Sequence, residues 1–208
     1  MNRETFRQPP AQYREVPFWS WNDELDDAEL ERQIAGMAQA GCGGCFIHAR
    51  AGLGTPYLSE TWLKRVRTAL EAARAHGLNA WLYDEEKWPS GFAGGLSVAA
   101  NPDHRGMHLV CHVGDRPALI AERVAAFSAK AEGDALTEVR PFETWEGRNP
   151  AERLVQFYLQ RLPLGMAWYG GLTYLDTLNP EAVRAFLGST HEVYRAAFGE
   201  DFGGLIPG

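Results

Sequence analysis

Cysteine is scarce in this chain of 208 residues: only Cys42, Cys45 and Cys111 occur. An odd set of three implies no full disulfide framework. Cys42-Gly43-Gly44-Cys45 has the C-x-x-C spacing of redox and metal sites. No second pair follows, however, and Cys45 falls where a buried strand begins, so both are read as small core residues. Basic charge is also in short supply, with 20 Lys and Arg against 27 Asp and Glu, a formal net charge of −7. A nucleic-acid partner would need a basic face to displace counterions from phosphates, so that class is excluded. Residues 1–14 are polar and include Pro9-Pro10, and no long apolar run follows them. The expectation is therefore no signal peptide, no membrane span and a cytoplasmic location. No G-x-G-x-x-G follows the first strand, which removes the best signal of a dinucleotide-binding fold.

What is present is an ordinary globular composition, 45% hydrophobic, with 12% aromatic residues that include seven Trp. Several Trp stand beside polar residues rather than inside apolar runs, a placement that suits a sugar-stacking cleft. A strand–helix alternation repeats at roughly 30-residue intervals. Val16-Pro17-Phe18-Trp19-Ser20-Trp21 reads as a first strand. Asp26 then caps a helix with Glu29 as its reciprocal partner, and Leu30, Ile34, Met37 and Ala38 form its apolar face until Gly41. Cys45-Phe46-Ile47-His48 is the second strand. After a glycine-rich loop Ser59 caps a second helix whose Trp62, Val66, Ala69, Leu70 and Ala73 share one face. Ala80-Trp81-Leu82-Tyr83 is the third strand and runs into Asp84-Glu85-Glu86.

Short buried strands separated by long helices argue for a parallel sheet. The expected fold class is α/β, a partial or interrupted (β/α)8 TIM-like barrel with a small β-rich insertion, although a complete barrel usually needs about 250 residues. Residues 1–106 are expected to form the first βα units, 107–165 the insertion and 166–208 a truncated continuation of the barrel. Within the insertion, Met107 to Val113 and Leu154 to Leu159 read as strands, with Gly114, Pro117, Gly133, Pro141, Gly147 and Pro150 as turn markers. Asn179 and Pro180 open a later helix with Phe186, Thr190, Tyr194 and Phe198 down one face.

In a parallel barrel the reactive face is the carboxyl-terminal rim of the strands. Three successive units here end in polar or aromatic groups: Trp19, Trp21 and Asn22; His48 and Arg50; Asp84, Glu85, Glu86 and Trp88. Adjacent carboxylates repel one another, so folding must supply donors, a cation or a raised pKa. A glycosidase uses a carboxyl pair, and Ca2+ also takes such oxygens. Arg50 and His48 can serve hydroxyls, and Trp faces can stack on sugar rings. Each reading has a plainer counterpart: a solvated acidic loop, a core histidine, tryptophans packed between layers.

Pro17-Phe18-Trp19-Ser20-Trp21-Asn22, Gly44-Cys45-Phe46-Ile47-His48-Ala49-Arg50, Thr55-Pro56-Tyr57-Leu58-Ser59 and the run from Ala80 to Gly91 jointly resemble the family-106 glycoside hydrolases, the α-L-rhamnosidase-like proteins. Leu178 to Ala182 and Thr190 to Tyr194 resemble a later helix of that family. The resemblance implies an interrupted barrel in a much longer chain and inverting hydrolysis of rhamnosides, using carboxylates and usually calcium. On this reading Asp84 and Glu85 are the catalytic candidates. Trp19, Trp21, Asn22, His48, Arg50, Glu86 and Trp88 bind the carbohydrate substrate, with Ca2+ as the cation to expect and its ligands unassigned. Two departures stand out. Glu86 and Lys87 occupy positions where the family usually has a second Asp and a small residue. Family members also continue beyond the equivalent of Gly208 into a strand with an Asp-Glu pair, where the proton donor is expected. The chain is thus read as an N-terminal fragment of a glycoside hydrolase-like protein. The alternatives are a non-catalytic carbohydrate-binding relative or a structural half-barrel that self-associates through open edges.

Overall fold

A computed structural model of the chain describes residues 3–118, 122–142, 149 and 151–208; the turn markers Gly147 and Pro150 lie outside them. Two compact units emerge, Met1–His104 with Leu164–Gly208, and Arg105–Pro163. The first contains α1 (Arg3–Arg7), β1 (Phe18–Trp21), α2 (Asp27–Gln39), β2 (Gly44–Ala49), α3 (Glu60–Ala75), β3 (Asn79–Leu82) and α4 (Leu96–Ala100). The second contains β4 (Met107–Gly114), β5 (Arg123–Glu132), β6 (Ala135–Pro141) and β7 (Arg153–Arg161), after which α5 (Pro180–Ser189) and α6 (His191–Phe198) return to the first.

In the first unit β1, β2 and β3 form a parallel three-stranded sheet in that order. No closed barrel exists among the described residues, so the expected (β/α)8 TIM-like architecture, even partial, is corrected to a small α/β unit and a separate unit with an antiparallel sheet. Strand–helix alternation specifies parallel pairing but not strand number. Three strands turning about 20–25° from one to the next cannot come full circle. The edge of β3 instead meets the segment after α6, where the Ala80 N–H donates to the Leu205 carbonyl at 3.0 Å.

Local signals explain the helices. The Asp26 carboxylate accepts from Glu29 N–H at 3.1 Å, but the reciprocal half of the expected capping box is missing, because Glu29 turns its carboxylate to Arg32 and Gln33. Ser59 caps α3 through the Trp62 N–H, and Trp62, Val66, Ala69, Leu70 and Ala73 are all fully buried. Each large side chain so buried contributes about 1.5–3 kcal/mol. The expected single C-terminal helix is two. Thr190, at φ −122° and ψ −74°, separates α5 from α6. Just before the break the Ser189 hydroxyl bonds the Phe186 carbonyl, a local competitor with helix hydrogen bonding. The apolar face survives the break: Phe186, Thr190, Tyr194 and Phe198 all remain buried.

The second unit is a four-stranded antiparallel sheet in the order β4-β7-β5-β6, with Met107 opposite Arg161 at one end of the β4–β7 ladder and Gly114 opposite Leu154 at the other. Leu154, Gln156 and Tyr158 alternate onto a buried face of β7, and the Gln156 side chain accepts from the Ala118 N–H at 2.9 Å. No helix among the described residues is long and apolar enough to cross a membrane.

Candidate functional site

Side chains alternate across a strand, and that parity separates the predicted site residues into two groups. Trp19, Trp21, Cys45, Ile47 and Ala80 belong to the buried core with residues of α2 and α3. The Trp19 indole donates to Gln33 Oε1 at 2.6 Å, and Trp21 lies edge-on to Trp62 with ring centroids 5.1 Å apart. Trp19 and Trp21, expected from sequence to bind the sugar, are thus placed in the core, where Trp21 also lines a hollow with Asn22. Cys45 is buried as expected, and that burial pushes its thiol up to about 12, out of reach of thiolate chemistry.

On the opposite parity lie Phe18, Phe46, His48, Trp81 and Tyr83. His48 sits between Phe18 and Tyr83, at centroid distances of 4.6 and 4.5 Å, and is 2% exposed. Burial first, and the Arg50 charge second, hold its pKa down at about 4, so the ring is neutral at neutral pH. Neither ring nitrogen has a hydrogen-bond partner among the described residues. Its Nε2 faces Glu85 Oε2 at 3.7 Å, beyond hydrogen-bond length.

Beyond the end of β3 the chain folds so that Ser90 organises the acidic run. The Ser90 hydroxyl lies 2.6 Å from Asp84 Oδ1 and 3.3 Å from Glu85 Oε1, and its N–H donates to the same Glu85 oxygen at 3.0 Å. Glu85 is buried, whereas the Asp84 side chain is 28% exposed and its Oδ2 faces His191 Nε2, at the start of α6, at 3.5 Å. The Tyr174 hydroxyl donates to the Ser90 carbonyl at 2.5 Å. Gly91 permits that approach: it sits at φ +113°, and a Cβ there would stand 2.9 Å from the Tyr174 oxygen. The result is two carboxylate–imidazole pairs, Asp84 with His191 and Glu85 with His48, joined through one serine. A hollow of ≈ 250 Å³ opens beside Asp84 and His191, walled by Leu82, Tyr83, Tyr194 and Phe202.

No family model and no curated protein matches this chain. Among solved structures it is similar to a rhamnosidase from Novosphingobium sp. PP1Y, at 17% identity and a TM-score of 0.42. The match covers 62% of this chain and 14% of that one. It is a distant likeness to a small part of a longer protein.

The remaining predicted residues are not members of the serine-linked pairs. Asn22 lines a separate hollow with Ser20, Asp23 and Glu24. Arg50 is exposed and acts on His48 through charge alone. Glu86 turns to a further hollow beside Tyr57 and Thr55, with Lys87 Nζ at 2.5 Å from its Oε1 and its Oε2 buried without a hydrogen-bond partner among the described residues. Trp88 is 66% exposed. Sequence reading missed Ser90, Tyr174 and His191 as site residues. Ser90 stood next to a recognised motif, but 84 residues separate it from Tyr174 and more than a hundred part Asp84 from His191, and no local pattern reports such pairings.

Calcium takes six to eight oxygens. Asp84, Glu85 and the Ser90 hydroxyl fall short of that shell, and no group of three or more His, Cys, Asp or Glu gathers as a metal site among the described residues. Among the described residues, the side chains at this site do not by themselves fit a resident Ca2+ ion.

Proposed function

We propose that the first unit carries the sugar site of a glycoside hydrolase-like protein that takes rhamnose-type glycosides. The observation that carries this reading is the serine-bridged pair of carboxylates at the end of a parallel strand, each facing an imidazole. A sugar hydroxyl is both donor and acceptor. A carboxylate and an imidazole set 3.5 Å apart, as Asp84 and His191 are, present an acceptor and a donor to one such group. Asp84, the more open carboxylate, meets the ligand; Glu85 and His48 lie behind it. The hollow of ≈ 250 Å³ is smaller than the roughly 300–1,000 Å³ of drug-sized sites and suits one sugar ring. Its Leu82, Tyr83 and Phe202 walls give an apolar surface for the methyl group of a 6-deoxy sugar.

Binding without turnover is the second reading, and one feature favours it. Acid and base of a glycosidase flank the scissile bond, about 5 Å apart for retention or 6.5–9.5 Å for inversion. Asp84 and Glu85 share one hydroxyl and stand together on one side.

Calorimetric titration with L-rhamnose, combined with chromophore release from p-nitrophenyl α-L-rhamnoside, tests both readings. Binding should be lost in Asp84→Asn, and weakened at least about tenfold in Glu85→Gln with the melting temperature nearly unchanged, as expected for loss of a charge-assisted hydrogen bond. Turnover by the intact chain would favour hydrolysis, and binding alone the second reading. Full affinity in both variants would overturn the site.

A further inference from the structure

Among the described residues, two tryptophans behave unlike the other four. Trp19, Trp21 and Trp62 are buried and Trp81 is half-buried, whereas Trp88 and Trp168 are 66% and 54% exposed. Indoles are usually well covered, and their N–H finds a partner where the body packs. Here the Trp168 Nε1–H donates to the Trp88 carbonyl at 2.9 Å, which fixes one exposed indole against the backbone that bears the other. The surrounding chain is anchored as well. Tyr169 is 9% exposed and packs on Phe92 with ring centroids 4.8 Å apart, and Tyr174 bonds the Ser90 carbonyl. These apolar faces are thus held in water by a hydrogen bond and a packed support, not left on a loose loop.

Their position adds the second part of the argument. Trp88 is two residues from Ser90, whose hydroxyl touches both Asp84 and Glu85, so its Cα lies within about 7 Å of the serine's. We infer that Trp88 and Trp168 form an aromatic subsite next to the Asp84 hollow that receives the group attached to the bound sugar, a second ring in a glycoside. This inference rests on the sugar-site reading above and extends it: Trp168 sets which glycosides bind, not whether the sugar itself does. A flat aromatic face suits the C–H-rich face of a pyranose or an aryl aglycone, where apolar contact and ring polarisation act without hydrogen-bond specificity.

The test compares Trp168→Ala with the intact chain in calorimetric titrations of p-nitrophenyl α-L-rhamnoside, L-rhamnose and p-nitrophenol. Affinity for the aryl glycoside should fall about tenfold, the scale of one lost aromatic contact, while that for L-rhamnose stays within about twofold. Trp168→Phe, which keeps a ring but no indole N–H, should retain most of the aryl-glycoside affinity. Equal losses for glycoside and free sugar, or no loss for either, would overturn the subsite and leave the sugar site standing. Binding of p-nitrophenol alone as tightly as the glycoside would also overturn it. If the intact chain binds neither sugar, both readings fall together.

Discussion

A histidine packed between two rings with both nitrogens unbonded responds to acid in a definite direction. The His48 pKa is about 4 in the fold, against an ordinary value of 6.5. The unfolded chain therefore binds a proton between those values that the folded chain refuses. The stability this neutral ring contributes is complete above about pH 6.5 and is lost as pH falls toward 4, at up to about 1.4 kcal/mol per pH unit. Glu85 Oε2 lies 3.7 Å from its Nε2, and the Arg50 charge also acts on it. Urea unfolding at pH 7 and at pH 4.5 should show a larger stability loss for the intact protein than for His48→Phe, which cannot titrate. Parallel losses in the two proteins would contradict the assignment. The pair Asp84 and Glu85 also differ at this scale: one type of group and adjacent positions, yet the Asp84 side chain is 28% exposed and Glu85 is buried.

Among the elements, α3 bears the most weight. Its inner face lies in the core, and its outer face holds the chain after α6 through Asp201, which accepts from Arg67 at 2.6 Å and from Arg74 at 2.5 Å. Arg67 also donates to the Ala197 carbonyl at 2.6 Å. Asp201 is buried and both arginines are partly open, so solvent screens part of the attraction. Asp201→Ala should cost about 1–3 kcal/mol, less than the loss of a fully buried pair. It should also speed amide exchange at Ala80, whose N–H bonds Leu205 four residues beyond Asp201. Exchange at Ala80 unchanged in the variant would mean that this segment is held by other contacts. The Trp19-to-Trp21 strand shows the reverse case: parity, not proximity to polar residues, sends both rings into the core against α2 and α3.

For the whole molecule, the two units have cores of different construction, a parallel sheet covered by helices and an antiparallel sheet. Hydrogen exchange followed through increasing urea should show the β4–β7 amides opening in a step separate from those of β1–β3. One common step for both sheets would show that they unfold as a single cooperative body. Strands β5 and β6, in a stretch read only as turns, were not legible in the sequence. Strands β1 to β4 and β7, the helix caps Asp26, Ser59 and Asn179, and the apolar faces of α2 and α3 were legible there, because each rests on residues close along the chain. So was the acidic run at the end of β3 beside a histidine of β2, since parallel order follows from strand–helix alternation. Tertiary structure decided the rest. Closure of a sheet depends on strand number and twist, which no local pattern encodes, so the barrel expectation failed where the positions of α2 and α3 did not. Ser90, Tyr174 and His191 entered the site through contacts across the chain, and burial, a property of the whole packed unit, made His48 a neutral ring rather than a cation.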